Sequence, residues 1–193
     1  MLKQNFLALA RRYPVAAAIK SPEDQEVALT SDVSLIFMLK GNAFSLTDFV
    51  ARVHKCGKGI VVHVDLIGGI GKDRAGIQYL RQQGVDAIIT SRSHLVAAGH
   101  AEGLTTIQRL LLLDHSAMEI GVKTIARAKP DLVEILPGVI FPDLALQLRQ
   151  ILPGPFIAGG FIRTRTDVER NQAAGAILCS SSNRELWFAG RAH

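Results

Sequence analysis

Short apolar runs alternate with helix-forming segments eight times along this chain, and the alternation restricts the folds that are open to it. The runs are apolar at nearly every position, which is typical of strands that are buried on both faces and pair in parallel. Intervals of roughly 20–25 residues leave room for one helix between successive strands. We therefore predict an α/β fold, a compact (β/α)8 TIM-type barrel, with an open doubly wound sheet as the alternative.

The predicted elements follow from the same pattern and from helix start and stop signals. Strands are predicted at 15–19, 34–39, 59–65, 86–90, 104–109, 131–136, 156–158 and 176–182. Helices are predicted at 5–12, 45–54, 72–83, 93–101, 114–128, 143–152 and 183–188, with two more that begin at Pro22 and near Val168. Ser45 is predicted to cap the third helix. No linker or low-complexity tract divides the chain, so residues 1–193 are predicted to form one domain.

The loops after the last two predicted strands have the composition of a phosphate-binding site. In the first loop Gly159 and Gly160 have no Cβ, so a ligand could lie close to their amide groups, and Arg163 adds a positive charge. A helix N-terminus predicted within 164–167 adds partial positive charge. The second loop is a serine run at 180–182. The simpler interpretation is that both loops are turns that end strands.

Composition narrows the classes of function. The net charge of +5 suits an acidic small ligand or a nucleic acid without specifying either. Cys56 and Cys179 do not have metal-ligand spacing, which favours free thiols in the cytoplasm. The sequence has no signal-peptide pattern and no apolar run of about 18 residues, so we expect no membrane span. The segment 68–73 fails as a nucleotide-binding P-loop because Asp73 stands where Ser or Thr is required.

Polar residues recur where the predicted strands end, which is the face of a barrel that carries chemistry. They include Lys40, Asp65, Arg109 and Glu134. Glu134 lies inside an apolar strand and needs a partner, and Arg109 on the neighbouring strand could be a purely structural one. His63 and Asp65 could share a strand face as metal ligands. Most other histidines fall on predicted helices or the tail, so we predict no metal site.

An enzyme would need a nucleophile or an acid–base pair among these strand-end groups. The sixth strand ends without a lysine, so the Schiff-base arrangement common in barrel aldolases has no candidate there. Lys40 could replace it, with Asp65 and Glu134 as base and acid. The short loops leave little chain to close over a substrate. We therefore predict a protein that holds a small phosphate ester rather than an enzyme.

Six segments, in order over almost the whole chain, match one known family. They are Val62-His-Val-Asp-Leu-Ile-Gly-Gly69, Ile89-Thr-Ser-Arg-Ser93, Thr106-Ile-Gln-Arg-Leu110, Val133-Glu-Ile-Leu-Pro-Gly138, Ile157-Ala-Gly-Gly-Phe-Ile-Arg163 and Ser181-Ser-Asn-Arg-Glu-Leu-Trp187. In these segments the chain resembles the glycerol-3-phosphate-responsive antiterminators, the regulatory proteins of glycerol uptake operons. The resemblance implies a barrel that senses glycerol 3-phosphate and binds leader mRNA of glycerol-utilisation operons, with no cofactor and no reaction.

The resemblance also implies the roles of individual residues. By matching motif, the phosphate contacts would come from Gly159, Gly160, Arg163, Ser181 and Ser182. The candidates for the glycerol hydroxyls are Asp65, Arg109 and Glu134. Two places depart from the family pattern: Asp143 after Pro142, where a basic residue is usual after a proline, and the run from Cys179, where Ser-Thr-Ser is typical. The first departure weakens the prediction of RNA contacts on that loop.

RNA binding has the weakest support in the sequence. Aromatic residues are only 6% of the chain and no RNP-type motif is present, so no stacking platform is predicted. The predicted RNA contacts are Lys123, Arg127 and Lys129 on one helix, which could equally be a solvated face. Two alternatives stay open: a triose- or sugar-phosphate isomerase or aldolase-like enzyme, and a phosphometabolite sensor that acts through a protein partner. A homo-oligomer is compatible with each.

Overall fold

The computed structural model describes residues 3–152 and 154–188 and shows a closed barrel of parallel strands. The strands are β1 (Val15–Ile19), β2 (Leu35–Met38), β3 (Gly59–His63), β4 (Ala87–Thr90), β5 (Thr105–Leu111), β6 (Leu132–Leu136), β7 (Phe156–Gly159) and β8 (Ala176–Ser181). They pair in chain order, and β8 closes the barrel against β1. The predicted (β/α)8 barrel is confirmed and the open sheet is wrong. The predicted domain range of 1–193 includes residues 1, 2, 153 and 189–193, which lie outside the described residues.

A helix precedes the barrel and others connect its strands. They are α1 (Lys3–Arg12), α2 (Pro22–Thr30), α3 (Ala43–Lys55), α4 (Arg74–Gln82), α5 (Ser93–Ala101), α6 (His115–Ala128), α7 (Phe141–Ile151) and α8 (Arg165–Ala173). Short 3-10 helices lie at Gly138–Ile140 and Arg184–Trp187. Most of these boundaries lie within two or three residues of the predicted ones, because capping residues and glycines mark the ends.

The predicted N-cap of α3 is wrong. Asn42, not Ser45, caps this helix: its side-chain oxygen accepts the amides of Phe44 at 3.0 Å and Ser45 at 3.2 Å. Asn42 has an extended backbone and bridges to Gly68 of the next loop, which fixes it outside the helix. Asn and Ser are equally favourable N-caps, so residue type does not decide between Asn42 and Ser45. The contact between Asn42 and Gly68 favours Asn42, and the local sequence does not reveal that contact.

The barrel interior is apolar and closed at one end. Phe6 and Ala10 of α1 are buried in the same cluster as the interior residues Phe37, Val61 and Ile107. Because α1 leads directly into β1, it covers the end of the barrel at which the strands begin. A second, larger core fills the space between the strands and the outer helices. The opposite end, where the strands finish, is left for polar groups.

Interior side chains change from apolar to polar along the strands. In β3, Val61 is followed on the same face by His63, and in β6, Leu132 is followed by Glu134. In β8, Leu178 is followed by Ser180. All three polar side chains are buried, so they need partners or a ligand. Across residues 3–152 and 154–188, no helix has the length and apolar character needed to cross a membrane.

Candidate functional site

A cavity of about 980 Å³ opens at the ends of the strands, and most of the predicted ligand residues lie on its wall. Of the eight predicted, six line it: Arg109, Glu134, Gly160, Arg163, Ser181 and Ser182. The other two, Gly159 and Asp65, do not. The end of β8 and the loops after β7 and β8 contribute Arg163 and the run from Ser180 to Asn183 to the polar lining. The assignment of ligand contacts to all eight residues stays a prediction.

The loop after β7 has an unusual backbone at two consecutive residues. Gly160 has φ of +80° and Phe161 has φ of +59°. Glycine adopts such angles freely, whereas a phenylalanine in this left-handed region is uncommon and costs free energy. Phe161 is nevertheless 64% exposed, so burial of its ring does not repay that cost. The guanidinium carbon of Arg163 lies 5.6 Å from the centre of the Phe161 ring, within cation–π range.

Ser181 and Asn183 join the two phosphate-type loops. The buried hydroxyl of Ser181 donates to the carbonyl of Ile162 at 2.7 Å and accepts the amide of Asn183 at 3.1 Å. The side-chain amide of Asn183 donates to the carbonyl of Arg163 at 2.8 Å. The hydroxyl of Ser181 is therefore used to fix the loops. Ser182 is exposed at the cavity wall.

The N-terminus of α8 is already capped by its own side chains. Thr164 accepts the amide of Asp167 at 3.1 Å. The carboxylate of Asp167 accepts the amides of Arg163 at 3.0 Å and Thr164 at 2.8 Å, and the bond from Arg163 is the main reason that its pKa is lowered. These amides are not free to bind a ligand, so the expected contribution of the helix N-terminus is smaller than the sequence suggested.

Glu134 is the buried anion of the cavity wall. It is 1% exposed, and its carboxylate accepts Nε–H of Arg109 at 2.7 Å and the hydroxyl of Ser180 at 2.9 Å. A Cβ on Gly159 would lie 2.6 Å from both the Glu134 carboxylate and the Ser180 hydroxyl. Gly159 is therefore needed to make room for Glu134, whereas the sequence had predicted that its missing Cβ serves a phosphate.

Asp65 is held by the end of β4 rather than by the cavity. It accepts the hydroxyl of Thr90 at 3.0 Å and the amide of Ser91 at 2.9 Å, and it pairs with Arg92 at 3.0 Å. The wall of the cavity near β3 is instead formed by Leu66. A direct bond from Asp65 to a ligand in this cavity would need these contacts to rearrange.

His63 is a buried group without a hydrogen-bond partner among the described residues. It is 2% exposed, and both ring nitrogens lack such a partner there. Its Nδ1 lies 3.9 Å from Asp65, which is too far for a hydrogen bond. Burial first, and then the positive charge of Arg109, lower the pKa of His63 to about 4 against a partial opposing effect of Asp65. The imidazole is therefore neutral near pH 7.

The cavity wall also includes residues that were not among the predicted ligand residues, notably Lys20, Lys40, Phe161 and Asn183. Lys20 directly follows β1, and Lys40 lies two residues after β2. The rule that barrel chemistry lies just past the strand ends had singled out Lys40, although not as a ligand contact, and would also have found Lys20. Phe161 carries no such signal, since its exposure depends on the left-handed turn after Gly160.

The predicted RNA cluster of Lys123, Arg127 and Lys129 lies away from this cavity. All three are exposed. α6 runs back antiparallel to the strands, so Arg127 and the C-cap residue Lys129 lie toward the end of the barrel opposite the cavity. Among the described residues, no group of three or more His, Cys, Asp or Glu side chains is placed to hold a metal ion.

The sequence is similar to one protein family over most of its length. The model of the family described as glycerol-3-phosphate responsive antiterminator matches residues 15–187. The chain belongs to this family. It is 31% identical over 183 residues to the uncharacterized protein YgcP of Escherichia coli (strain K12), covering 94% of this chain and 95% of that protein.

Solved structures of two antiterminator proteins superpose on the barrel. The glycerol uptake operon antiterminator regulatory protein from Listeria monocytogenes str. 4b F2365 is 33% identical with a TM-score of 0.85, over 90% of this chain and 94% of that chain. The glycerol uptake operon antiterminator-related protein from Thermotoga maritima MSB8 is 26% identical with a TM-score of 0.80, over 91% and 98%. A deoxyribose phosphate aldolase from Aeropyrum pernix, 18% identical with a TM-score of 0.70 over 94% and 89%, shares the fold alone.

Proposed function

We propose that this member of the antiterminator family binds glycerol 3-phosphate in the cavity and, in response, binds leader mRNA of glycerol-utilisation operons in the cytoplasm. It would act without a cofactor and without catalysing a reaction. The observation that carries the proposal is a phosphate-type loop pair on the cavity wall, beside cations that have no carboxylate partner among the described residues, in a chain of this family.

The charges of the cavity suit a phosphate ester. Lys20, Lys40 and Arg163 line the cavity, and none of them pairs with a carboxylate in the part of the chain that the structure describes. A phosphate dianion would complement them, and Arg163 can offer it two parallel N–H donors. We place the phosphate between the loops after β7 and β8, within reach of Arg163 and Ser182.

The glycerol hydroxyls would meet the Arg109–Glu134 pair. Arg109 has donors beyond the Nε–H that Glu134 occupies, and the carboxylate of Glu134 has acceptor positions beyond its two bonds. A vicinal diol presents donors and acceptors of the same kind. This arrangement supports selection of a small polyol phosphate over inorganic phosphate.

The arrangement gives less support to an isomerase or aldolase-like enzyme. Such an enzyme would need a free base, but Glu134 is held by Arg109 and Ser180, and Asp65 does not line the cavity. Lys20 and Lys40 are exposed, whereas a Schiff-base lysine is usually activated by burial in an apolar pocket. The loops after the strands are short except for residues 64–73 after β3, and that loop is tied to its neighbour by the bridge between Gly68 and Asn42.

The test is binding to the leader RNA of the cell's own glycerol operon, followed by gel shift with and without glycerol 3-phosphate. We expect a retarded complex that glycerol 3-phosphate strengthens and that glycerol does not. Absence of any complex at low salt would contradict RNA binding and favour the sensor that acts through a protein partner. Phosphorus NMR of the same mixtures should show unconverted ligand, and any turnover that Glu134→Gln abolishes would favour the enzyme.

A further inference from the structure

The cations of the cavity wall that have no carboxylate partner among the described residues lie on one side of the barrel mouth. On the side formed by β3–β6, Arg92 pairs with Asp65 at 3.0 Å and Arg109 pairs with Glu134 at 2.7 Å. On the other side, β7, β8, β1 and β2 are consecutive neighbours in the closed barrel. Lys20, Lys40 and Arg163 follow β1, β2 and β7, and their side chains have no carboxylate partner among the described residues. Arg184, which follows β8, pairs with Asp24.

An exposed aromatic ring lies at each end of this side. Phe161 follows β7 and is 64% exposed, and Phe44 follows β2 and is 95% exposed. We call this set, Phe44, Lys40, Lys20, Arg163 and Phe161, the mouth arc. The exposed acids that follow in sequence, Glu23, Asp48 and Glu185, do not line the cavity. Exposed rings interleaved with cations along one edge are typical of surfaces that bind single-stranded nucleic acid by base stacking and phosphate contacts.

The ring of Phe161 is partly covered in this structure. Arg163, which lies 5.6 Å from its centre, is also the residue best placed to hold the phosphate of a ligand in the cavity. One guanidinium cannot both cover the ring face and point its fork of donors at a phosphate. Phosphate binding would therefore move Arg163 off Phe161 and expose the ring to an incoming base.

We propose that the mouth arc is the surface on which this protein binds single-stranded RNA, and that Arg163 couples it to the ligand by uncovering Phe161. The inference rests on the proposed function, whose RNA surface it names. It resolves a difficulty of charge: an anionic ligand would weaken RNA binding by simple competition, whereas uncovering an aromatic platform strengthens it. It also places the RNA at the cavity mouth instead of on Lys123, Arg127 and Lys129.

The experiment measures the affinity of a fluorescein-labelled single-stranded leader RNA by anisotropy, with and without saturating glycerol 3-phosphate. Phe161→Asn removes the ring and keeps a residue that tolerates positive φ, and Phe161→Tyr keeps the ring. With ligand present, we expect Phe161→Asn to weaken RNA binding about 5- to 150-fold, the effect of losing one stacked base. Phe161→Tyr should bind like the parent. Leu146→Ala, at a residue 76% exposed on α7, is the control for loss of an exposed apolar side chain.

Arg163→Ala tests the coupling. This variant should bind glycerol 3-phosphate poorly, yet bind RNA without ligand more tightly than Lys40→Ala, which also loses one cation of the mouth arc but leaves Phe161 covered. Calorimetric titration with glycerol 3-phosphate checks that each variant tested with ligand is saturated. A melting curve checks that each variant is folded. The triple variant Lys123→Glu, Arg127→Glu, Lys129→Glu should keep most of the affinity for RNA.

The outcomes separate the inference from the proposed function. If the parent binds no RNA with or without ligand, RNA binding itself is wrong and a protein partner is favoured. If the parent binds RNA but Phe161→Asn and Phe44→Ala bind it equally well, and the triple variant does not, the mouth arc is wrong and the α6 cluster is the surface. If Arg163→Ala binds RNA without ligand no more tightly than Lys40→Ala does, the uncovering mechanism is wrong.

Discussion

At the scale of single residues, the proposed phosphate site depends most on Arg163. Its side chain is exposed, lines the cavity and has no carboxylate partner among the described residues. We predict that Arg163→Ala weakens glycerol 3-phosphate binding more than Arg163→Lys does, because arginine offers a planar pair of donors and lysine a point charge. A charge-assisted bond of this kind is worth about 1.5–3 kcal/mol. Calorimetric titration decides, and unchanged affinity in Arg163→Ala would remove Arg163 from the site.

His63 makes the folding stability depend on pH. Its pKa is about 4 in the folded protein and near 6.5 when unfolded, so between these values the unfolded chain binds the extra proton. Stability is therefore retained above pH 6.5 and falls as the pH is lowered toward 4, by up to about 3 kcal/mol. Urea unfolding at pH 7 and 4.5 should show a smaller loss for His63→Gln than for the parent. The matched control is His115→Gln, since the side chain of His115 is 75% exposed; an equal loss in all three proteins would contradict the prediction.

Motifs in the sequence identified candidate site residues, but they did not always predict the contacts that these residues make. Sequence reasoning assigned Gly159 and Glu134 separately to a ligand, yet their close approach depends on the adjacent positions of β6 and β7 in three dimensions. Asp65 has the residue type of a ligand contact, but the end of β4 holds it through Thr90 and Ser91. Which partner a strand-end side chain takes is decided by neighbouring strands, and no local pattern records that choice.

At the scale of elements, strand and helix positions were largely predictable because apolar runs and capping residues are local signals. Ser21 illustrates this: its hydroxyl accepts the amide of Asp24 at 3.2 Å, and Pro22 opens the helix, as the sequence indicated. Contacts between loops were not predictable. Asp24 also pairs with Arg184, 160 residues away, and so joins the loop after β1 to the 3-10 helix after β8.

The ion pair between Asp24 and Arg184 should contribute more to the free energy of unfolding than an exposed ion pair of the same type. The carboxylate of Asp24 accepts the amide of Lys20 at 2.9 Å and Nε–H of Arg184 at 2.8 Å, and the Asp24 side chain is 14% exposed. We predict that Asp24→Asn lowers the free energy of unfolding by about 1–3 kcal/mol. Glu26→Gln, which breaks the exposed pair with Arg52, should cost about 0–1 kcal/mol. Chemical denaturation compares the two variants, and equal effects would show that Asp24 does not tie the loops together.

At the scale of the whole molecule, ligand binding to the folded state must raise its stability. We predict that glycerol 3-phosphate at about 100 times its Kd stabilises the fold by roughly 2.7 kcal/mol. For a domain of this size the melting temperature should rise by roughly 5–11 °C. Glycerol at the same concentration should give no shift because it lacks the phosphate. Differential scanning calorimetry measures both, and an equal shift from glycerol would contradict a phosphate site.

The two ligands of a regulator must also affect each other equally. If glycerol 3-phosphate tightens RNA binding by some factor, RNA must tighten glycerol 3-phosphate by the same factor, typically about 5- to 150-fold. The reciprocity follows from the closed cycle of binding free energies and does not depend on where the RNA lies. Calorimetric titration of the ligand into the protein, with and without saturating leader RNA at one salt concentration, measures the factor. Salt must be held fixed because RNA binding through about four phosphate contacts would change with a log–log slope of about −3. A factor of one would mean that the barrel binds the two molecules independently. Weaker ligand binding in the presence of RNA would mean that they compete. Either result would show that the proposed regulation is wrong.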